Sequence, residues 1–160
     1  MQLAYTIYDD NGTQVAVGNH IIKPEGFTIP EESTRIHGIT HEQAVAEGEP
    51  LEEVLATFRQ MMKQSNILVA HNIAFDEKIM GAEFIRTTHS NPMEGRPKIC
   101  TMESTTAFCA IPSSYGLKYP SLQELHKKLF NTGFEDAHDA FVDVNATVRC
   151  FFELHKRGMI

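Results

Sequence analysis

Cysteine is scarce in this chain: Cys100, Cys109 and Cys150 are the only three in 160 residues. An odd number without C-x-x-C spacing supplies neither a disulfide framework nor a structural zinc site, and reduced thiols point to a cytoplasmic protein. Long apolar runs are absent too; none approaches the ~20 residues that cross a bilayer, so no membrane association is expected. The N-terminal Met1–Thr6 lacks the basic stretch of a signal peptide. Positive charge is outnumbered, with 14 Lys+Arg against 21 Asp+Glu and a net charge of −7. That balance excludes a broad phosphate-binding surface. It leaves open a cleft in which carboxylates recruit divalent cations, which in turn hold a few nucleotides. Repeats, low-complexity tracts and linkers are also lacking, so a single domain over residues 1–160 is expected.

What is present alternates between strand and helix patterns. Leu3, Tyr5 and Ile7 alternate with Ala4, Thr6 and Tyr8, and Asp9-Asp10-Asn11-Gly12 supplies turn chemistry. Thr13–Lys23 reads as the return strand of a hairpin. Pro30–Ile36 reads as a helical turn stopped by Gly38, and Thr40 with Gln43 has capping-box spacing. Val54, Leu55, Phe58, Met61 and Met62 mark an amphipathic helix from Leu51. Ile67–Ala70 is a short apolar strand expected to be buried, followed by a helix with Ile79, Met80 and Phe84 inward. Lys98–Thr101 is a further strand, leading into a helical stretch to about Phe108. Ile111–Pro120 is the most irregular loop. Ser121 and Glu124 form a capping box for a helix bearing Leu122, Leu125 and Leu129. The last helix, Asp139 to about Lys156, is expected to turn Ala140, Val144, Val148, Phe151 and Phe152 inward. A hairpin followed by alternating helices and short apolar strands makes the class α/β.

Two distant segments carry the chemistry. In Val69-Ala70-His71-Asn72-Ile73-Ala74-Phe75-Asp76 an apolar run breaks into a polar turn and ends on a carboxylate. Spacing to Ile79, Met80 and Phe84 places Asp76 on the inward face of its helix, where α/β proteins build sites; a helix-capping role is the alternative. In Ala137-His138-Asp139-Ala140-Phe141-Val142-Asp143 a histidine precedes an aspartate by five. Asp143 shares a helix side with Ala140, Thr147 and Cys150, small residues that leave room for an ion; a solvated helix acid is the alternative. In one continuous helix His138 and Asp143 would point apart, so His138 must lie on the entering loop to join Asp143. A neutral imidazole there suits a general base near neutral pH. The histidines at 20, 41, 89, 126 and 155 show no ligand spacing and are expected at the surface.

These segments resemble a known family. His71-Asn72-Ile73-Ala74-Phe75-Asp76 is similar to the HNxxFD motif of the DEDDh 3′–5′ exonucleases, the proofreading (polymerase III epsilon subunit-like, DnaQ-like) family. Ile36-His37-Gly38-Ile39-Thr40 is similar to its IHGIT motif, and His138 with Asp143 to its H-x4-D motif. The resemblance implies a ribonuclease H-like mixed sheet of about five strands flanked by helices. It implies removal of nucleoside 5′-monophosphates from single-stranded 3′ ends of DNA or RNA by two divalent ions, Mg²⁺ or Mn²⁺. By it, Asp76 and Asp143 would be metal ligands, His138 the general base, and Ile36, His37, Asn72 and Phe75 the substrate contacts, with Phe75 against a base. Plain core packing is the alternative for Ile36 and Phe75. A DNA polymerase or another replication or repair protein is an implied partner.

The chain departs from the family in one respect. The D-x-E-x-T-G motif, which supplies two further carboxylates on a central strand, does not occur in it. The expectation is therefore an N-terminally truncated exonuclease domain without the first strand, with exposed sheet edges, weak metal occupancy and weak or no activity. A non-catalytic nucleic-acid-binding or interaction domain derived from an exonuclease is the competing reading.

Overall fold

A computed structural model of the chain describes residues 1–135 and 139–160, which fall into two compact units. The first holds residues 1–65 and 139–144, the second residues 66–135 and 145–160.

In the first unit, β1 (Gln2–Tyr8) and β2 (Gln14–Ile21) pair antiparallel from Gln2 opposite Ile21 to Tyr8 opposite Gln14. The turn works as its composition predicts. Gly12 N–H donates to the Asp9 carbonyl at 3.0 Å, and the Asp9 carboxylate accepts from Asn11 N–H at 3.0 Å and Thr13 N–H at 2.8 Å. α1 (Glu31–His37) stops at Gly38, whose φ of 77° is a left-handed cap. α2 (His41–Glu47) starts on Thr40, whose hydroxyl accepts from Gln43 N–H at 3.1 Å. Gln43 sends its own amide to Glu47. α3 (Leu51–Met62) buries Val54, Leu55 and Met62 as its periodicity requires. Ile29, Ile39 and Ala44 form a small core against Ile21.

In the second unit, β3 (Leu68–Ala70) runs parallel to β4 (Lys98–Cys100), and the intervening chain forms α4 (Ile73–Thr88). β3 is half-buried rather than buried. α5 (Thr101–Ser104) and α6 (Thr106–Cys109) follow. The Ile111–Pro120 segment is more ordered than a loop: β5 (Pro112–Ser113) and β6 (Gly116–Leu117) close a small hairpin. α7 (Leu122–Phe130) opens on the full capping box, Ser121 accepting from Glu124 N–H at 3.2 Å and Glu124 from Ser121 N–H at 2.8 Å.

α8 (Ala140–Lys156) begins in the first unit and continues in the second. Its buried residues are Ala146, Thr147, Cys150 and Leu154. Val144, Val148, Phe151 and Phe152 are only half-buried, so the inward stripe lies beside the one the bulkiest residues suggest. Cys150 and Leu154 join Cys109, Leu125 and Leu129 in one core.

The class is α/β with both antiparallel and parallel strand pairing, as expected. Among the described residues the strands hydrogen-bond as three separate two-stranded sheets rather than one five-stranded sheet. No described helix is long and apolar enough to cross a membrane.

Candidate active site

The turn from β3 into α4 is held by His71. Its Nε2–H donates to the Pro120 carbonyl at 3.0 Å, since a carbonyl can only accept. In a neutral ring Nδ1 then accepts from the Thr101 hydroxyl, also at 3.0 Å. That contact outcompetes the 3.4 Å alternative from the same hydroxyl to the Ala70 carbonyl. Burial lowers the His71 pKa, outweighing the Pro120 carbonyl, which raises it; the ring is neutral near pH 7. His71 is thus a brace, a role its motif position does not announce.

Asn72 sits at φ 72°, ψ 49°, a left-handed conformation that asparagine tolerates better than most residues. Its side chain makes no capping bond to α4, so the exposed amide is available to a ligand. Phe75, in the first turn of α4, is 62% exposed, which rules out core packing. Asp76 is also exposed rather than inward. The buried stripe of α4 runs through Ile73, Met80, Gly81 and Phe84; Asp76 lies on its margin, and Ile79, 41% exposed, lies beyond it.

The Asp76 carboxyl nevertheless titrates well above an ordinary carboxyl. Desolvation by the protein on its inner flank pushes it up to about 6, against the weaker opposing effect of its own backbone N–H. Exposure and desolvation coexist because solvent reaches the group from one side while the helix margin crowds the other. Its open side keeps the energetic cost modest. No ion pair among the described residues involves Asp76. Its neighbour Glu77 pairs with Lys98 at 2.6 Å, tying α4 to β4.

In the first unit, Ile36 is 64% exposed at the end of α1, so it too is outside the core. His37 accepts from Ile39 N–H through Nδ1 at 3.1 Å, which leaves Nε2 to carry the proton of the neutral ring and donate it. Asp143 is half-buried in the first turn of α8, one turn before Thr147 on the buried stripe. His138 lies outside the described residues. Its neighbour Asp139 caps α8, accepting from Phe141 N–H at 2.9 Å and Val142 N–H at 3.0 Å. Gln2 completes that cap: its amide donates to Asp139 at 3.1 Å and accepts from Ala140 N–H at 3.1 Å. An aspartate directly before a helix was the available signal for this cap; the Gln2 clasp had none.

Each unit thus carries one candidate ligand acid and one exposed candidate for a base contact: Asp143 and Ile36 in the first, Asp76 and Phe75 in the second. Among the described residues no three His, Cys, Asp or Glu side chains gather into a group that could hold a metal.

The family model for exonuclease domains of the RNase T type matches residues 3–151. The chain belongs to this exonuclease family. Its DnaQ-like character agrees with the HNxxFD and IHGIT motifs. The DNA polymerase III PolC-type protein of Streptococcus pneumoniae D39 is 32% identical over 141 residues, covering 88% of this chain and 9% of its own length. The chain therefore corresponds to a small part of that relative. A zinc-bound complex of Escherichia coli ExoI with single-stranded DNA shares the fold at a TM-score of 0.79 and 20% identity, covering 98% of this chain and 36% of the other. Exonuclease X in complex with 5′-overhanging duplex DNA matches at a TM-score of 0.61 and 22% identity, over 98% and 83%. At these identities the structural neighbours speak for the fold alone. Exonucleases of this family use divalent metals in general.

Proposed function

We propose that residues 1–160 form a single 3′–5′ exonuclease domain acting on single-stranded 3′ ends in the cytoplasm. The observation that carries this reading is Asp76: a desolvated carboxylate with no ion pair among the described residues, in the family's second motif, in the first turn of the helix that follows β3. Hard oxygen ligands suit Mg²⁺ or Mn²⁺, and a cation would relieve the desolvated charge. Asp76 and Asp143 would each serve as a metal ligand, as the family's motifs imply. When bound, two such ions would neutralise charge on the scissile phosphate. His138 would take a proton from the attacking water, whose oxygen bonds to phosphorus as the 3′ oxygen of the penultimate nucleotide leaves. The products are a nucleoside 5′-monophosphate and a strand with a new 3′-hydroxyl. Ile36 and Phe75 would pack against the terminal bases, while His37 Nε2–H and the Asn72 amide supply polar contacts.

With two ligand acids rather than the family's fuller set, metal occupancy and activity of this chain would be weak, and a polymerase III-type protein is the natural assembly partner. The lack of a three-ligand group among the described residues favours one second reading, a non-catalytic nucleic-acid-binding domain. Incubation of the chain with a 5′-labelled single strand and Mn²⁺ separates them. A descending ladder lost in Asp143→Asn supports the exonuclease. Binding without shortening supports the alternative.

A further inference from the structure

The hairpin of β5 and β6 holds its apolar side chains in water. Tyr115 at its tip is 101% exposed, Leu117 50% and Tyr119 59%. The tip is nonetheless shaped: Ser113 Oγ donates to the Gly116 carbonyl at 3.1 Å, and Gly116 takes a φ of 112°. Lys118 fastens the base, its N–H donating to the Ile111 carbonyl at 3.0 Å and its ammonium pairing with Glu124 at 2.7 Å. Beside that base lies an open groove of about 420 Å³ lined by Cys109, Ile111, Glu124, Lys127, Lys128 and Asn131. The one acid of the groove, Glu124, is already engaged by Lys118 and by Ser121 N–H. No ion pair among the described residues engages Lys127 or Lys128; Lys128 lies 5.6 Å from the Phe108 ring. In a chain of net charge −7, Lys127 and Lys128 make this groove locally positive, and the hairpin fastened to its Ile111 and Glu124 edge by Lys118 carries the exposed aromatic rings.

We propose that the hairpin and the adjacent α7 groove bind single-stranded nucleic acid, with Tyr115 and Tyr119 stacking on bases and Lys127 and Lys128 meeting phosphates. Rings that stack on any base, flanked by cations that follow a backbone, are the parts of a sequence-tolerant single-strand surface. The patch is small, so it is consistent with the lack of a broad basic face. The choice of occupant rests on the exonuclease reading; the surface itself does not.

The test is fluorescence anisotropy of a 5′-fluorescein-labelled dT12 with the full chain in EDTA, where no hydrolysis intervenes. Tyr115→Ala, at a fully exposed position, should bind about tenfold more weakly with an unchanged salt dependence. Lys127→Ala should also weaken binding and should flatten the slope of log K against log salt by about 0.7. Wild-type affinity in both variants, with wild-type thermal unfolding, would overturn the proposal and leave the surface to a protein partner. Hydrolysis of the same oligonucleotide by the wild-type chain in Mn²⁺ is scored separately. Activity with unaltered binding in the variants sinks only the surface, whereas weakened binding without activity sinks only the exonuclease reading.

Discussion

His71 and Pro120, 49 residues apart, are joined by a 3.0 Å hydrogen bond from imidazole to carbonyl. Through it the turn that presents Asn72, Phe75 and Asp76 is fixed to the start of α7. Thr101 and Pro120 are fully buried, so losing the imidazole strands the Pro120 carbonyl away from water and leaves the Thr101 hydroxyl only the long 3.4 Å contact to the Ala70 carbonyl. His71→Phe keeps the ring but neither bond, and should cost about 2 kcal/mol in urea unfolding at pH 7.5. The same ring makes stability pH-dependent. Its folded pKa lies below the ordinary 6.5, so its contribution is full above that value and is lost as pH falls through it. The stability gap between wild type and His71→Phe should therefore narrow between pH 7.5 and pH 5.5. A constant gap would show that the ring does not titrate with folding.

Gly18 faces Tyr5 across the β1–β2 ladder, and a Cβ added there would lie 2.3 Å from Tyr5 Cζ. The tyrosine has little freedom to retreat, because it stacks on His20 at 5.8 Å and contacts Phe58 at 5.1 Å between ring centroids. Gly18→Ala should destabilise the chain by about 2 kcal/mol. Tyr5→Leu should absorb part of that cost, so a double-mutant cycle in urea should be non-additive. Strict additivity would mean that the ring is not the obstacle.

Much of this architecture was legible because local chemistry and tertiary packing agree in it. The Ser121–Glu124 box, the Gly38 stop and the Asp9–Gly12 turn are decided within a few residues, and each formed as its sequence indicates. Positions on a stripe's margin were read less well. Hydrophobicity and spacing place Ile79 inward, yet α4 is oriented by Phe84 and Met80, which leaves Ile79 exposed and Asp76 on the edge. In α8 the buried stripe is Ala146, Thr147, Cys150 and Leu154, while Ala140, Val144, Val148, Phe151 and Phe152, the side expected inward, are half-buried. His126, expected at the surface, is fully buried. Its Nδ1–H donates to the Thr132 carbonyl at 2.7 Å and its ring meets Phe130 and Phe134. Such partners are set by loop geometry, which periodicity does not encode.

Asp139 ties the start of α8 to Gln2, next to the proposed base His138. Desolvation opposes ionisation of its carboxyl, but the Gln2 amide and the Val142 and Phe141 N–H groups hold it below the usual carboxylate range. Its stabilisation is present above the unfolded pKa and is lost as pH falls through the folded one. Asp139→Ala should lower stability by about 1 kcal/mol at pH 7, and Asp139→Asn by less, since asparagine caps almost as well. Equal losses would place the stabilisation in the charge rather than in the cap.

Asp76 should act in the opposite sense. Its carboxyl rises from 3.8 to about 6 on folding, so the folded state holds the proton more tightly and stability declines as pH rises between those values. In EDTA at pH 7.5, Asp76→Asn should therefore unfold at a higher temperature than wild type. At pH 3.5 wild type should lack that disadvantage, because its carboxyl is protonated in both states. If Asp76 is a metal ligand, Mn²⁺ should reverse the order at pH 7.5, raising the Tm of wild type more than that of Asp76→Asn. An equal Mn²⁺ shift in both proteins would remove Asp76 from the metal site while leaving its pH effect intact. An Asn variant no more stable in EDTA would instead show that solvent on the open side already compensates the charge.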